Sequence, residues 1–258
     1  MIQIVLSLLI LTSGLNFAYE EDVLETLRMV HKDNPTVCIF EPEPIIQERF
    51  HKDVFNSTAD SVLIWGNEMT QYTGGNWYMD IKYYEYEHHA DKLPTDYPEC
   101  NILIVYDKIN TGDYSVKETA LGFTSFDFSN SGHQYSMILV FLEAFEETPN
   151  INICIGECDF ENGVDFEKNP RSLSENAVKK ILLHEFGHAL SIGHYVDDIK
   201  KDNNEYSMMY PSMQPFSENS LEIGQIDKEI LKKIYGADGF GGLSGHSPYH
   251  YKISELVR

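Results

Sequence analysis

Basic residues are scarce in this chain of 258 residues. Lysine and arginine number 19 against 41 aspartates and glutamates, which gives a formal charge of −22 at pH 7. Because binding to nucleic-acid phosphates needs clustered Lys and Arg, the composition argues against a nucleic-acid partner. The acidity is typical of a well-hydrated surface, and 42% hydrophobic residues are ample for a globular core.

Long apolar runs are missing after the N-terminus. The first segment, MIQIVLSLLILTSGLNFAYE, is apolar from Ile2 to Leu11 and meets its first charge at Glu20. This pattern is typical of a signal peptide cleaved between Gly14 and Ala18, and it predicts a secreted protein. An uncleaved signal segment that tethers the protein to a membrane is the alternative. The run is shorter than the roughly 20 residues that span a bilayer, so we expect no stable membrane span.

Cysteines are few, and their number is even. Cys38, Cys100, Cys154 and Cys158 would meet an oxidising compartment after export, where two disulfides can form. Cys154 and Cys158 are close enough in sequence to close a small ring, which leaves Cys38 to pair with Cys100. A zinc site built from these four is disfavoured, because Cys38 and Cys100 each lack a second nearby thiol.

No repeat or low-complexity linker divides the chain. We predict a signal peptide (1–18), a short lead-in (19–35), one α+β domain (36–236) and a C-terminal tail (237–258). Apolar patterning predicts a helix from Ser174 through a histidine-rich segment. The same patterning predicts strands at 36–40, 76–86, 100–109, 121–128 and 135–144, and further helices at 57–71 and 217–236.

Three histidines and a glutamate lie in HEFGHALSIGH, residues 184–194. On a helix, His184 and His188 project from one face, where both rings can reach one ion. Neutral imidazole suits Zn²⁺, and a catalytic zinc needs a third protein ligand and an open position for water. Glu185 lies one residue round the helix, where it can reach that water as a general base.

His194 is the predicted third ligand. It lies six residues beyond His188, so a continuing helix would carry it away from the ion. The helix must therefore end, and the chain must turn sharply at 191–193. Gly193 is flexible, whereas Ser191 must take a strained backbone conformation at a cost of about 1 kcal/mol or somewhat more.

HEFGHALSIGH resembles the HExxHxxGxxH zinc motif of the metzincin metallopeptidases, with Ser191 in place of the family glycine. The segment SMMYP, residues 207–211, resembles their Met-turn, and its Tyr-Pro ending is closest to the matrixin branch. The segment TALGF, residues 119–123, is similar to the matrixin strand that pairs with substrate. The resemblance implies a metzincin-like α+β fold, with a twisted mixed five-stranded sheet, an active-site helix and a C-terminal helix.

The resemblance also implies the site and the activity. The expected protein is a secreted, monomeric zinc endopeptidase that hydrolyses peptides or proteins with a zinc-bound water activated by Glu185. Met209 would form an apolar floor beneath the metal. The implied zinc ligands are His184, His188 and His194, and the implied substrate-binding residues are Ala120, Leu121, Gly122, Tyr210 and Pro211.

Two alternatives stay open at this point. In one, a zinc peptidase takes a downstream glutamate as its third ligand: Glu205, Glu218 or Glu222. In the other, the chain is an exported zinc-binding module without catalytic activity. Ca²⁺ is a second candidate ion, because the acidic loop at 157–167 has suitable carboxylates, although not in the spacing of an EF-hand.

Overall fold

A computed structural model describes residues 34–47, 53–72, 78–89, 96–110, 120–128, 134–145, 153–154, 170–194, 207–209, 212–213 and 221–235. The predicted signal peptide, nearly all of the lead-in, the acidic loop at 157–167 and the C-terminal tail lie outside these residues. Within the described part of the chain, no helix is long and apolar enough to cross a membrane.

Five strands form one mixed sheet, as the resemblance implied. They are β1 (Thr36–Phe40), β2 (Asp80–Tyr84), β3 (Ile102–Asp107), β4 (Gly122–Phe128) and β5 (Gln134–Phe141). Their order is β2-β1-β3-β5-β4, in which β4 runs antiparallel to β5 and the other neighbours are parallel. The apolar run of β3 therefore occupies the centre, and β4 forms an edge.

Helices cover one face of this sheet. The two long ones, α2 (Asp53–Tyr72) and α4 (Glu175–Ala189), pack against each other, and Trp65 Nε1 donates a 2.9 Å hydrogen bond to the Leu183 carbonyl between them. Their buried apolar faces join those of β1, β3 and β5 in the main core. The remaining helices are α1 (Pro44–Gln47), α3 (Tyr86–His89) and α5 (Gln225–Tyr235). The predicted α+β class is confirmed.

The opposite face of the sheet carries a smaller core around a disulfide. Strand alternation turns Cys38, Phe40 and Leu103 to this side, where they pack with Tyr97. Cys38 and Cys100 are bonded, with their Cα atoms 5.7 Å apart, so the predicted pairing is confirmed.

Two short strand pairs complete the described elements. Strand β6 (Glu143–Phe145) pairs with β8 (Pro170–Ser172), and β7 (Ile153–Cys154) pairs with β9 (Ser212–Met213). Both pairs are antiparallel. Cys158, the predicted partner of Cys154, lies outside the described residues.

Several predicted boundaries were wrong, among them the end of the strand predicted at 135–144, which stops at Phe141 before the separate strand Glu143–Phe145. The first long helix begins at 53 rather than 57, and the Thr58 hydroxyl donates to the Val54 carbonyl four residues back, inside the helix. The strand predicted to reach 86 stops at Tyr84, and Tyr86 starts a helical turn whose backbone N–H donates to Glu41. The last helix begins at 225 rather than 217, because Gly224 donates its N–H to Asp227, three residues on.

Candidate metal centre

Helix α4 supplies most of the site, and local signals fix both of its ends. At the N-terminus, Ser174 Oγ accepts a 3.2 Å hydrogen bond from the Ala177 N–H. At the C-terminus, the Ile192 N–H donates to the Gly187 carbonyl and the Ser191 N–H donates to the His188 carbonyl. These two bonds form a Schellman motif, in which the residue after the cap adopts a left-handed conformation.

Ser191 holds that left-handed position with φ 70°, and it is the non-glycine residue with positive φ among the described residues. The prediction that Ser191 bears the strain of the turn is confirmed. The same position explains why the family motif has glycine here, since glycine adopts positive φ without a steric cost.

The turn brings three imidazoles together. The Nε2 atom of His184 lies 3.1 Å from that of His188 and 3.2 Å from that of His194, and the His188 and His194 Nε2 atoms are 3.1 Å apart. These nitrogens form a nearly equilateral triangle, and they are the cluster of potential metal ligands in the described part of the chain.

Backbone carbonyls fix the tautomers of two of these rings. His184 Nδ1 lies 2.8 Å from the Met208 carbonyl, and His188 Nδ1 lies 2.8 Å from the Ile192 carbonyl. A carbonyl only accepts, so each Nδ1 carries the proton and each Nε2 of the neutral ring presents a lone pair. Lone pairs that converge at this distance repel one another unless a cation lies between them.

The triangle fits a tetrahedral zinc ion. Zinc binds histidine nitrogens at about 2.0–2.1 Å, which places two ligands of a tetrahedron about 3.3 Å apart. The observed 3.1–3.2 Å separations are close to this value, and among the described residues no fourth ligand belongs to the cluster. Burial and the neighbouring rings hold the pKa of His184 well below its usual range, and burial and His194 lower the pKa of His188 to about 3. Both rings are therefore neutral near pH 7, as metal binding requires.

Glu185 lies beside this cluster and is fully buried. Burial raises the pKa of its carboxyl group to about 8. A hydrogen bond from Thr124 on β4 acts in the opposite direction and lowers this pKa by a smaller amount. The strand approaches closely because Gly122 has no side chain. A Cβ atom there would lie 2.7 Å from Ile181 Cγ2 and 3.2 Å from Glu185 Oε1.

The segment Ser207–Met209 packs against α4 and contacts the His184 ring. Asp227 on α5 accepts hydrogen bonds from the Ser207 hydroxyl and, at 2.6 Å, from the Met208 N–H. The Met208 carbonyl then accepts from His184. Met209 is fully buried, and its sulfur lies against Gly187 of α4, where a Cβ atom would overlap it.

Comparison with known proteins identifies the family. A family model described as matrixin matches residues 68–236, more than half of the chain. The chain belongs to the matrixin family. The match includes the three histidines, and the two findings together identify a zinc metalloendopeptidase. A comparison with curated protein sequences found no significant match.

The remaining predicted residues of this matrixin lie in different places. Ala120 and Leu121 are buried just before β4, and Gly122 begins that strand at the edge of the sheet. Tyr210 and Pro211 lie outside the described residues. Of the alternative third ligands, Glu222 is exposed and is not in the cluster, while Glu205 and Glu218 lie outside the described residues.

Three residues of the matrixin site were missed in the sequence. Asp227 carried a signal, since it is an acidic residue in the apolar spacing of Ile223, Ile230 and Ile234. Thr124 shares a strand face with Gly122, but its partner is 61 residues away. Gly187 had no sequence signal beyond its place between the histidines.

Proposed function

We propose that this matrixin is a secreted endopeptidase in which His184, His188 and His194 hold zinc and Glu185 is the catalytic base. The observation that carries the proposal is the convergence of three histidine nitrogens beside Glu185, a buried acidic residue adjacent to His184. A purely structural zinc site has no need of a buried carboxylate beside its ligands.

The chemistry divides between the ion and the chain. When bound, zinc polarises the scissile carbonyl and lowers the pKa of water. Glu185 accepts the proton of the attacking water and passes it to the leaving amine. Met209 supplies an apolar floor under the histidines.

The edge strand β4 is the proposed substrate-binding surface. The Phe141 N–H donates to the Leu121 carbonyl, so alternation along the antiparallel ladder turns the N–H and C=O groups of Gly122 and Thr124 away from β5, toward the outer edge of the sheet. An extended peptide can add there as a further strand. Ala120 and Leu121 would shape the start of this surface, and Tyr210 and Pro211 would form the wall of the specificity pocket.

Glu185→Gln tests the catalytic role. The substitution keeps the shape and the metal ligands but removes the base, so we expect zinc content to persist while kcat falls by about 10²- to 10⁴-fold. Glu229→Gln, at an exposed position on α5, is the matched control and should keep wild-type activity. Chelator-sensitive cleavage of a peptide library gives the baseline. Undiminished cleavage by Glu185→Gln would refute the assignment.

Secretion, monomeric state and a calcium site remain further proposals. Export predicts that N-terminal sequencing of the secreted protein starts between residues 15 and 19, and an intact Met1 would contradict it. Sedimentation tests whether the protein is a monomer.

Calcium titration of the zinc-loaded protein tests the acidic loop at 157–167, and the absence of any binding would remove Ca²⁺ from the candidate ions.

A further inference from the structure

A single hydroxyl group contacts the proposed base twice. Thr124 Oγ1 lies 2.8 Å from Glu185 Oε2 and 2.9 Å from the Glu185 backbone carbonyl. Among the described residues, Thr124 is the hydrogen-bond partner of this carboxyl group, and it engages Oε2 alone. Oε1 instead lies over Gly122, where the missing side chain leaves it room.

We propose that Thr124 is a positioning residue that holds Glu185 Oε2 and thereby leaves Oε1 to exchange protons with the reacting water and the leaving amine. This inference rests on the proposed role of Glu185 as base. It assigns different tasks to the two carboxyl oxygens, and it gives strand β4 a role beyond pairing with substrate.

One hydroxyl serves both protonation states of Glu185, because Oε2 can accept a hydrogen bond in either of them. When Glu185 is ionised, Thr124 donates its proton to Oε2. When Oε1 has taken a proton, Oε2 is the carbonyl oxygen of the neutral group and still accepts from the Thr124 hydroxyl. The carboxyl group keeps the same partner throughout, so its orientation need not change as the proton passes through it.

The arrangement also links substrate binding to the base. The N–H and C=O groups of Thr124 face the outer edge of β4, while its side chain contacts Glu185 of α4. A peptide that pairs with β4 therefore orders the strand segment that holds Glu185. Loss of the hydroxyl alone leaves the backbone pairing intact, so its effect should fall on kcat rather than on KM.

The kinetic test compares Thr124→Val with Thr124→Ser in the zinc-loaded full chain. Valine keeps the β-branched shape without the hydroxyl, and serine keeps the hydroxyl. We expect Thr124→Val to lower kcat about ten-fold with KM within about two-fold and with unchanged zinc content, and Thr124→Ser to recover most of the loss. Thr70→Val is the control, because it removes a hydroxyl bonded to a helix carbonyl in α2, away from the site.

A double-mutant cycle gives a readout that does not depend on activity. Thr124→Val, Glu185→Met and the double variant are unfolded with denaturant in the presence of chelator. We expect the two changes to be non-additive by about five-fold or more in the unfolding equilibrium constant, whereas Thr70→Val should be additive with Glu185→Met to within about two-fold. Thr124→Ala takes the place of the valine variant should the latter not fold.

The outcomes separate the two proposals. Wild-type kcat in Thr124→Val, or failure of Thr124→Ser to recover activity, overturns the positioning role. Full activity of Glu185→Gln, or absence of peptidase activity in the wild type, overturns the proposed function instead. Even if the proposed function fails, the double-mutant cycle still tests the contact. Additive effects on stability overturn the Thr124–Glu185 contact, and non-additive effects support it.

Discussion

Ser191 holds a backbone conformation that glycine adopts more easily. Its φ of 70° costs a residue with a Cβ atom about 1–2 kcal/mol, because the Cβ atom crowds the following carbonyl oxygen. We expect the free energy of unfolding of Ser191→Gly to be about 1 kcal/mol larger than that of Ser191→Ala. The alanine variant is the reference, since both changes remove the hydroxyl and only glycine removes the Cβ atom. Equal denaturant midpoints for the two variants would show that the turn carries no such strain.

Gly187 and Gly66 both lie within long helices but should respond oppositely to alanine. A Cβ atom at Gly187 would overlap Met209 Sδ and approach Trp65, whereas at Gly66 it would meet Met79 Cε at an ordinary 3.5 Å. We expect Gly187→Ala to destabilise the protein by about 1–3 kcal/mol through overpacking. Gly66→Ala should instead stabilise it by about 0.5–1 kcal/mol through helix propensity. Thermal unfolding measures both, and a stabilising Gly187→Ala would contradict the packing of Met209.

Helix α5 acts on the metal centre through the segment that ends at Met209. Asp227 holds the Met208 N–H, and the Met208 carbonyl orients the His184 ring. Asp227→Ala leaves the Ser207 hydroxyl and two backbone N–H groups without their acceptor, so we expect a stability loss of about 2–4 kcal/mol. Zinc affinity should fall about 10- to 100-fold, as measured by competition with a chelating dye.

A matched variant on α5 separates this effect from general damage to the helix. Glu229→Ala changes an exposed acidic residue two positions away and should leave zinc affinity unchanged. Equal losses of affinity in the two variants would mean that Asp227 supports the fold without orienting His184.

Local signals made the histidine helix predictable. Ser174 caps it, an apolar face continues from Val178, and the spacing of the histidines required the turn that Ser191 provides. The start of α5 was not predictable in this way. Its cap uses Asp227, whose side chain also bonds Met208, so the boundary depends on a tertiary contact. The Thr124–Glu185 contact likewise joins segments far apart in sequence, and residue spacing carries no information about it.

Most acidic residues that the structure describes are partly or fully exposed, but Glu185 is buried beside the histidines. The pKa of Glu185 rises from 4.5 to about 8 because burial disfavours its charged form. The group therefore contributes most to stability below pH 4.5, and that contribution is lost as pH rises to about 8. Glutamine does not titrate. In chelator-treated protein, the free energy of unfolding of Glu185→Gln should therefore rise relative to that of the wild type across this pH range, by on the order of a few kcal/mol.

Denaturant midpoints at pH 5, 6.5 and 8 measure this difference, with Glu229→Gln as an exposed control that should track the wild type. A difference that does not change with pH would mean that Glu185 is solvated rather than buried. Zinc should act in the opposite direction, because a cation held by the three histidines favours the ionised form of a nearby carboxylate. Added zinc should therefore reduce the difference in free energy of unfolding between Glu185→Gln and wild type at pH 8. The same buried carboxylate that destabilises the chelated fold would then be stabilised by the ion beside which it is proposed to act.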